Sequence, residues 1–593
     1  MKNILKYIAT ASVVLFGAVS CGDFLDRPAE DTYNEANFYS DDNQCIQGVN
    51  YLYNSPWYDV IRGFYRVGEC FSGNYFMGDS PYLLFNVNGS DAELTAMSAS
   101  LWAVNSHSTV VYNRIKKAGA GVTESVKNQC MGEALTWKAF AYFFLVRTFG
   151  EVPIIHDISA EIAAGNYNSI YKAPKEDVYT YITMLLDEAM NLLPKKVANK
   201  DGRIDYYSAE ALLAKVYLQK AGVSGTLNQS DLDQAAKYAK DVIENSGRQL
   251  LEVYSDVFRM QNNKNLEALI SWHWDASASP WTAQNSFQSD LGMNGFDEFG
   301  DVWGQWNGPS VALQDQFTDL SNTDGALASM DPALRSDVDP RRKATMMLAG
   351  DTYDYFWTTN GGFDYLRFFY DPNYGPSGTS NASDGQMNSP TGAGCVKFLY
   401  GDGNDHLAAL GVSAGRMAYG LSTHILRLSD IYLVYCEAKL HGPGSTTSDA
   451  LALQCYNDVR NRAIPGASSN VASISFEQVW KERNLELALE GDRWYDYVRV
   501  GYYAPDFAVA DIQSQRRNNL AAGTSLNDIY ETYYETGVWN SDGVLYNKDQ
   551  YPVPSREQIL SKIVALPFPS EDVVYNPNLE AEAQAFDFST ISF

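Results

Sequence analysis

Trp480-Lys-Glu-Arg-Asn-Leu-Glu-Leu-Ala-Leu-Glu-Gly-Asp-Arg-Trp-Tyr-Asp-Tyr-Val-Arg-Val-Gly501 is a strongly patterned stretch in a chain of 593 residues. Four apolar residues and one glycine return at helical spacing, at offsets 0, 7, 11, 14 and 18: Trp480, Leu487, Gly491, Trp494 and Val498. A glycine on that face lets a second helix approach closely. We therefore predict one long, packed helix from about residue 476 to residue 500.

Charges of both signs stand at helical spacing in the same stretch. Arg483, Glu486, Glu490 and Arg493 are i,i+3 or i,i+4 neighbours that can neutralise one another. Glu486 and Glu490 also allow a second interpretation, the acid pair of a glycoside hydrolase. Because the chain has 72 acidic residues, such pairs arise often by chance, and spacing alone does not shift a pKa. We therefore favour ion pairing that supports helix packing.

Helical patterns occur in pairs elsewhere along the chain. Three such pairs are 133–149 with 175–193, 207–218 with 232–243, and 425–439 with 450–463. Antiparallel helices with small residues on the facing sides, about 40 residues in all, are typical of tetratricopeptide-type units. The sequence therefore predicts a mostly α fold, an irregular array of tetratricopeptide-like helix pairs. We assign to its core the tryptophans of the helical stripes, Trp102, Trp137, Trp480 and Trp494.

Two segments interrupt the helical pattern. Residues 62–96 mix glycines with aromatic residues, and in residues 275–419 the periodicity fades while Gly, Asn, Ser, Asp and aromatics dominate. A long insertion without strong secondary structure is usually functional. We predict that these residues form a loop-rich ligand-binding region packed against the array. Residues 501–593 are predicted to be mostly irregular.

The aromatic content indicates the kind of ligand. Aromatic residues make up 13% of the chain, with 40 Tyr and 12 Trp. Tyr and Trp offer a flat apolar face with a polar edge, which suits sugar rings. The candidate ligand-binding residues are Trp281, Trp303, Trp306, Tyr355 and Trp357 in the insertion, with Tyr75 and Tyr82 from the earlier loop. Each has an alternative interpretation, a ring packed beneath its own loop.

Composition argues against several classes of function. The formal net charge is −28, and such an acidic surface repels phosphate backbones, so we expect no nucleic-acid partner. Six scattered histidines show no HExxH spacing, and no G-x-S-x-G elbow or Walker loop stands out. The cysteines form no paired CxxC motif, which argues against zinc. We predict a protein without catalytic residues, cofactor or metal.

Two local points stay open. Gly401-Asp-Gly-Asn-Asp405 clusters oxygens that could bind calcium, but it lacks the full twelve-residue EF-hand pattern, so we interpret it as a turn. Cys45 and Cys70 could form a disulfide, and the sequence alone does not decide this.

The N-terminus carries the pattern of an export signal. Two lysines precede an apolar run at residues 7–19 that is too short for a transmembrane helix. Ala18-Val-Ser-Cys21 then resembles the bacterial lipobox, in which the cysteine thiol receives diacylglycerol and the chain is cut before it. Several acyl chains on Cys21 anchor stably. We predict a lipoprotein signal peptide at 1–20 and a lipidated tether at 21–40; the alternative is a plain secreted protein.

Several blocks together resemble the SusD/RagB family, surface lipoproteins of Bacteroidota that bind nutrients, chiefly glycans. Residues 482–501 contain a match to its signature R-x-x-E-L-x-x-E-G-x-R-W-x-D-x-x-R. Further blocks agree in order: Cys21-Gly-Asp-Phe-Leu-Asp26, Phe149-Gly-Glu-Val-Pro-Ile154, Ile425-Leu-Arg-Leu-Ser-Asp-Ile-Tyr-Leu433, Asn457-Asp-Val-Arg-Asn-Arg-Ala463 and Leu566-Pro-Phe-Pro569. They span nearly the whole mature chain, whereas residues of about 275–400 match nothing position by position.

The resemblance implies a fold, a location and a partner. We expect a single body at 41–593, with the helical array at about 41–274 and 420–500. The expected protein is lipid-anchored in the outer membrane and exposed at the cell surface. It would bind oligosaccharide or polysaccharide and deliver it, without catalysis, to a TonB-dependent outer-membrane transporter. The alternatives are a carrier of peptide or another nutrient, a surface glycoside hydrolase, or an assembly factor without a small ligand.

Overall fold

The computed structural model describes residues 38–593 except 79, 277–280, 298–301, 303, 305–306, 319–330, 334, 336–338, 376–386, 388, 408–418, 467–470, 518–522 and 541–550. Cys21 and the predicted signal peptide lie outside the described residues, as do Trp303 and Trp306. The described part is mostly helical, which confirms the predicted fold class.

The described residues form twenty α-helices: α1 (Asp42–Asn50), α2 (Val60–Tyr65), α3 (Ala92–Lys116), α4 (Glu124–Phe149), α5 (Ile158–Ala164), α6 (Lys175–Leu192), α7 (Tyr206–Lys220), α8 (Gln229–Asn245), α9 (Phe287–Leu291), α10 (Val311–Thr318), α11 (Arg341–Thr345), α12 (Tyr365–Tyr370), α13 (Leu428–Ala438), α14 (Ala450–Ala463), α15 (Phe476–Glu486), α16 (Arg493–Tyr503), α17 (Pro505–Ser514), α18 (Gly523–Thr536), α19 (Arg556–Val564) and α20 (Ser570–Tyr575).

Short strands pair two by two and antiparallel in the described chain. They are β1 (Tyr75–Phe76) with β3 (Gly308–Pro309), β2 (Ala268–Trp272) with β8 (Thr423–Arg427), β4 (Met346–Met347) with β7 (Gly394–Cys395), β5 (Thr352–Tyr353) with β6 (Phe363–Asp364), and β9 (Thr446–Thr447) with β10 (Ile474–Ser475). Most of these strands are two residues long, so the described residues between α8 and α13 lie mainly in loops.

The longer helices stack in sequence order into an array. Helix α3 packs on α4, α4 on α6, α6 on α7, α7 on α8, α8 on α13, and α13 on α14. The three helix pairs expected from the sequence are therefore neighbours in space. Side-chain caps fix where several of these helices begin, because an aspartate or asparagine oxygen accepts a backbone N–H of the first turn. The capping residues are Asp91, Asp205, Asn228 and Asp449.

The core surrounds α4. Every residue from Cys130 to Phe149 is buried, so this part of the helix has neighbours on all sides. The ring of Trp137 lies 5.3 Å from that of Trp57 and 5.1 Å from that of Tyr53. Trp137, Trp480 and Trp494 are core residues as expected, whereas Trp102 is only partly buried.

The strand pair β2–β8 closes the insertion at its base. Ala268 faces Arg427 and Trp272 faces Thr423, so the chain leaves the array and returns to it at the same place. Arg427 then leads directly into α13. Both ends of the insertion are therefore held in one small sheet beside the array.

The signature stretch is two helices, so the prediction of one long helix is wrong. Helix α15 ends at Glu486 and α16 begins at Arg493, with positive φ angles of 64° at Leu489 and 76° at Gly491 between them. The Gly491 N–H donates to Glu69 Oε1 at 2.7 Å, and a Cβ at residue 491 would overlap the ring of Phe64. A second chain segment therefore occupies the path that a continuous helix would take.

The C-terminal part is more regular than the sequence suggested. Helices α17 to α20 occupy much of the described chain after residue 504, and the linker after α19 lies along the array. Leu566 N–H donates to the carbonyl of Thr148 at 2.8 Å, and the ring of Phe568 stacks on Phe149 at 5.3 Å. These helices are short, so their periodicity extends over too few residues to be recognised.

The described cysteines are free and buried, so Cys45 and Cys70 do not pair with each other in this structure. Burial raises the pKa of the Cys45 thiol to about 11 and that of Cys70 to about 12. Both therefore act as small apolar residues of the core.

Candidate functional site

Among the candidate ligand residues that the structure describes, Trp281 is the one most open to solvent. It is 50% exposed and begins a short 3-10 turn, Trp281–Ala283. Backbone hydrogen bonds hold the turn, because Asp275 N–H donates to the carbonyl of Ala283 at 2.7 Å and Gln284 N–H donates to the carbonyl of Trp281 at 3.3 Å. An exposed indole on such a turn can stack on a sugar ring.

Three other predicted ligand residues lie in the core. Tyr75 and Tyr82 are 0% exposed, and Trp357 is likewise 0% exposed. The Tyr82 hydroxyl donates to Asp91 at 2.6 Å, and the Trp357 indole N–H donates to the carbonyl of Phe296 at 3.0 Å. These rings present no face to a ligand, which corrects their place among the candidates. The alternative interpretation, a ring packed beneath its own loop, describes all three.

Tyr355 lines the main cavity, but its faces are covered. The imidazole of His406 stacks on its ring at 4.0 Å, and the guanidinium carbon of Arg259 lies 4.6 Å from the same ring centroid. Two groups so close to one centroid occupy opposite faces of the ring. Tyr355 therefore cannot stack on a sugar unless Arg259 moves, and its role in this structure is to position its neighbours.

The cavity has a volume of about 560 Å³, in the range of small-molecule binding sites. Segments far apart in sequence build it, from residues 255–259, 340–344, 352–358 and 396–406. Its apolar wall consists of Phe258, Pro340, Ala344, Tyr353, Phe356, Val396 and Leu399. Its polar side chains are Ser255, Arg259, Lys343, Thr352, Asp354, Thr358 and His406. Most of the polar groups are side chains that sequence reasoning did not identify.

Hydrogen bonds fix the wall around Tyr355. Its hydroxyl accepts the backbone N–H of Met260 at 3.0 Å and donates to Gln261 Oε1 at 3.3 Å. His406 Nε2 donates to the carbonyl of Tyr355 at 2.9 Å, and Gln261 Nε2 donates to His406 Nδ1 at 3.0 Å. Burial lowers the pKa of His406, so the imidazole is neutral at pH 7. His406 is therefore a fixed structural support.

A small apolar cluster connects this cavity with the Trp281 turn. Its buried members are Met260, Tyr400, Leu407, Tyr419 and Leu421. The Asn285 N–H, close to Trp281 in sequence, donates to the carbonyl of Tyr419 at 3.2 Å. At the other end, Met260 binds Tyr355 as described above. Both candidate positions therefore belong to one continuous part of the insertion.

Glu486 lies within a buried group of arginines. Arg341 Nη1 donates to its Oε2 at 3.1 Å, Arg427 Nη1 to its Oε1 at 2.5 Å, and Arg462 also donates to Oε1. Burial alone would raise the pKa of Glu486, but the charges of Arg462, Arg427 and Arg341 hold it far below its ordinary value. An always ionised, fully buried carboxylate cannot act as a general acid.

Glu490 is paired in the same network. It receives a bidentate pair of hydrogen bonds from Arg427, each 2.8 Å long, and one from Lys397 Nζ at 2.9 Å. The remaining signature arginines also bind across elements: Arg483 Nη1 donates to Asp430 at 2.8 Å, and Arg493 stacks on Trp480. The signature residues do form ion pairs, but the prediction that they neutralise one another is wrong. Glu486 and Glu490 pair with cations of distant segments, and Arg483 and Arg493 both pair with Asp496.

Gly401–Asp405 forms a turn in which Asp405 is satisfied by protein donors. Its carboxylate accepts the backbone N–H groups of Trp357 at 2.9 Å, Thr358 at 2.7 Å and Asp402 at 2.9 Å. Over the described chain, no group of three or more His, Cys, Asp or Glu side chains is arranged to hold a metal ion.

Comparison with known proteins agrees with this architecture. Residues 254–584 match the SusD family, and residues 106–218 match a SusD-like family described as starch-binding and associating with the outer membrane. A SusD-like protein of Bacteroides ovatus is 30% identical over 99% of this chain and 99% of its own length. The chain belongs to the SusD family.

Solved SusD-type structures share its fold. A crystal structure with xylogluco-oligosaccharide has 25% identity and a TM-score of 0.71, and covers 92% of this chain and 99% of that one. A SusD-like carbohydrate-binding protein of Bacteroides fragilis, with 18% identity and a TM-score of 0.64, covers 92% of this chain and 100% of that one. In this SusD-family protein the described helices include none with the length and apolarity needed to cross a membrane.

Proposed function

We propose that this SusD-family protein is a cell-surface lipoprotein that binds an oligosaccharide or polysaccharide and delivers it, without catalysis, to a TonB-dependent outer-membrane transporter. The observation that carries the proposal is the half-exposed indole of Trp281 on the insertion. Support comes from the relative whose structure contains a xylogluco-oligosaccharide and from the matched family described as starch-binding.

Stacking on Trp281 is energetically suited to capture and release. Covering the open half of an indole removes on the order of 100 Å² of apolar surface from water, which contributes about 2 kcal/mol. One such contact gives weak binding, so a ligand needs several contacts along a chain of sugars. A carrier that must pass its ligand onward benefits from several weak contacts, because each one dissociates readily.

The non-catalytic part of the proposal is supported by the state of the acid pair. Glu486 and Glu490 are held by arginine and lysine side chains in the core, where no polysaccharide can reach them. A glycoside hydrolase needs one carboxyl with a raised pKa at an open cleft, whereas the pKa of Glu486 is lowered.

A soluble form that starts after Cys21 tests the proposal by affinity electrophoresis in gels containing xyloglucan, laminarin, starch or other polysaccharides. We expect retardation by one class of glycan, no increase in reducing ends, and loss of retardation in Trp281→Ala. Tyr575→Ala is the matched control, because Tyr575 is 61% exposed on α20, outside the insertion.

Other results of this experiment would each contradict one part of the proposal. Unchanged retardation of Trp281→Ala removes the site assignment, and the release of reducing ends removes the non-catalytic role. Failure to bind any glycan would favour a peptide cargo or a docking role without a small ligand.

A further inference from the structure

The cavity beside Tyr355 has two cationic side chains in its lining, in a protein with a net charge of −28. Arg259 and Lys343 both line it, and the described lining includes one carboxylate, that of Asp354. A cavity for neutral sugars needs hydroxyl, amide and aromatic partners, and gains little from two cations. Their position is therefore informative about the ligand.

Neighbouring side chains orient Arg259 at the cavity. Its guanidinium packs over the Tyr355 ring at 4.6 Å, Nε lies 3.3 Å from Asp256 Oδ1, and Nη2 lies 3.4 Å from Ser255 Oγ. The side chain is 38% exposed, so it reaches solvent inside the cavity. Five N–H donors in a planar fork exceed what these two acceptors use, which leaves donors for an oxyanion.

Arg259, Tyr355 and His406 form a stack of three side chains, which restricts the orientation of the Arg259 guanidinium. His406 covers the opposite face of Tyr355 at 4.0 Å, and both nitrogens of its ring are used by Tyr355 and Gln261. Because the guanidinium does not have to be ordered when a ligand arrives, less side-chain entropy is lost on binding. Lys343 adds a second, exposed cation from α11, with its Nζ 5.3 Å from the Tyr353 ring centroid.

We propose that this cavity binds the anionic group of an acidic sugar residue, a carboxylate or a sulfate ester, within the glycan that the proposed function assigns to the protein. A planar guanidinium donates two parallel hydrogen bonds to either oxyanion, and a lysine ammonium adds a point charge. The inference rests on the proposed function and names the class of its ligand: an acidic polysaccharide with apolar sugar faces that stack on Trp281.

Two carboxylates near the cavity disfavour the binding of an anion, and one of them allows a further test of the proposal. Asp256 Oδ1 lies 3.3 Å from Nε of Arg259 and neutralises part of its charge. Asp354 is exposed in the cavity lining, and its charge repels an anionic ligand. Removal of this charge should therefore strengthen the binding of an acidic sugar, whereas a neutral sugar that hydrogen-bonds Asp354 would bind more weakly.

The test is a glycan array with neutral, uronate-containing and sulfated oligosaccharides, followed by calorimetry of the soluble protein on the best acidic probe and its desulfated or neutral counterpart. Arg259→Gln and Lys343→Met should each weaken binding of the acidic probe by about tenfold, and Asp354→Asn should strengthen it. Lys343 and Asp354 are exposed, so both variants are expected to fold. The uronate and sulfate arms distinguish the two sources of the anion.

The outcomes separate this inference from the proposed function. If neutral glycans bind and lose affinity in Trp281→Ala while Arg259→Gln and Lys343→Met bind normally, the anion site is overturned and the proposed function stands. If Asp354→Asn weakens binding of every probe, the cavity takes neutral sugars and the inference is again overturned. If no glycan of any class binds, both are overturned.

Discussion

Gly491 shows how one residue determines the path of the signature segment. Its φ of 76° lies in the left-handed region, and its Cβ position is occupied by the ring of Phe64. Its N–H also donates to Glu69, a fully buried residue whose pKa is raised to about 7 by desolvation. Only glycine combines this backbone conformation with so close a neighbour.

Gly491→Ala should lower the free energy of unfolding by about 2–5 kcal/mol, from left-handed strain and from overlap in a core that cannot expand. Gly466→Ala is the matched control, because Gly466 has φ 79° but nothing within 4 Å of its Cβ position. We expect the control to lose only about 1–2 kcal/mol. Equal losses in urea denaturation would show that the contact with Phe64 contributes nothing.

Glu210 on α7 makes stability depend on pH. Burial, then a hydrogen bond and like charge from Asp241, raise the pKa of Glu210 from 4.5 to about 8. A carboxyl whose folded pKa lies above its unfolded value stabilises the fold below the unfolded pKa, and this contribution is lost as pH rises toward the folded pKa. The window is therefore about pH 4.5 to 8, with lower stability at the upper end.

Glu210→Gln should leave the melting temperature almost unchanged at pH 5 and raise it relative to the unmodified protein at pH 8.5. Asp241→Asn, which removes the facing charge, should change stability in the same direction. Thermal unfolding of the three proteins at both pH values measures this. A change in melting temperature that is the same at pH 5 and at pH 8.5 would contradict the assignment of the pH dependence to Glu210.

At the residue scale, the sequence identified aromatic loops but not the orientation of their rings. Trp281 and Trp357 both lie in the segment where helical periodicity fades, yet one is half exposed and the other is buried. Part of the difference comes from a partner far away in sequence, since the Trp357 indole N–H donates to the carbonyl of Phe296; Phe363, which is close in sequence, packs on the same ring at 4.9 Å. Composition predicts that such rings are present and cannot predict which of them a loop covers.

At the scale of elements, buried ion pairs join the array to the insertion. Arg427, at the end of β8, contacts Glu267 beside β2 at 2.6 Å, together with Glu486 and Glu490 after it in sequence. The strand pair β2–β8 and the signature segment therefore meet at one side chain. The sequence predicted pairing by helical spacing, and it could not show this arrangement because the partners are 59 to 160 positions apart.

Arg427→Met should lower the free energy of unfolding by about 3–5 kcal/mol, because it leaves buried carboxylates without a cation. The matched control is Arg367→Met on α12, where an exposed ion pair with Asp371 contributes less than about 1 kcal/mol. Guanidinium denaturation distinguishes the two. A loss in Arg427→Met as small as in the control would contradict a structural role for the network.

At the scale of the whole molecule, the order of motifs in the sequence predicted the mostly helical array and the family. It did not predict the cavity, because the lining residues come from segments between Ser255 and His406 that meet only in the fold. The positions of Arg259 and Lys343 had no signal of their own in the sequence. Between about residues 275 and 400 no family motif could be aligned position by position from the sequence alone, so no spacing rule applied to these loops.

The proposed lipid anchor is also a property of the whole molecule. Cys21→Ser should move the protein from the membrane fraction to the soluble fraction, because several acyl chains on one residue hold a protein at the membrane and none would remain. Fractionation of cells with immunoblotting measures this. Membrane retention of the variant equal to that of the unmodified protein would contradict anchoring through Cys21.

Capture of a glycan without catalysis is tested by calorimetric titration of the soluble protein with its retained glycan, with reducing ends measured after each run. We expect binding in the micromolar range by the unmodified protein and by Tyr575→Ala, a large loss of affinity in Trp281→Ala, and an intact glycan. Equal affinity of Trp281→Ala and Tyr575→Ala, or cleavage of the glycan, would contradict capture without catalysis at this surface.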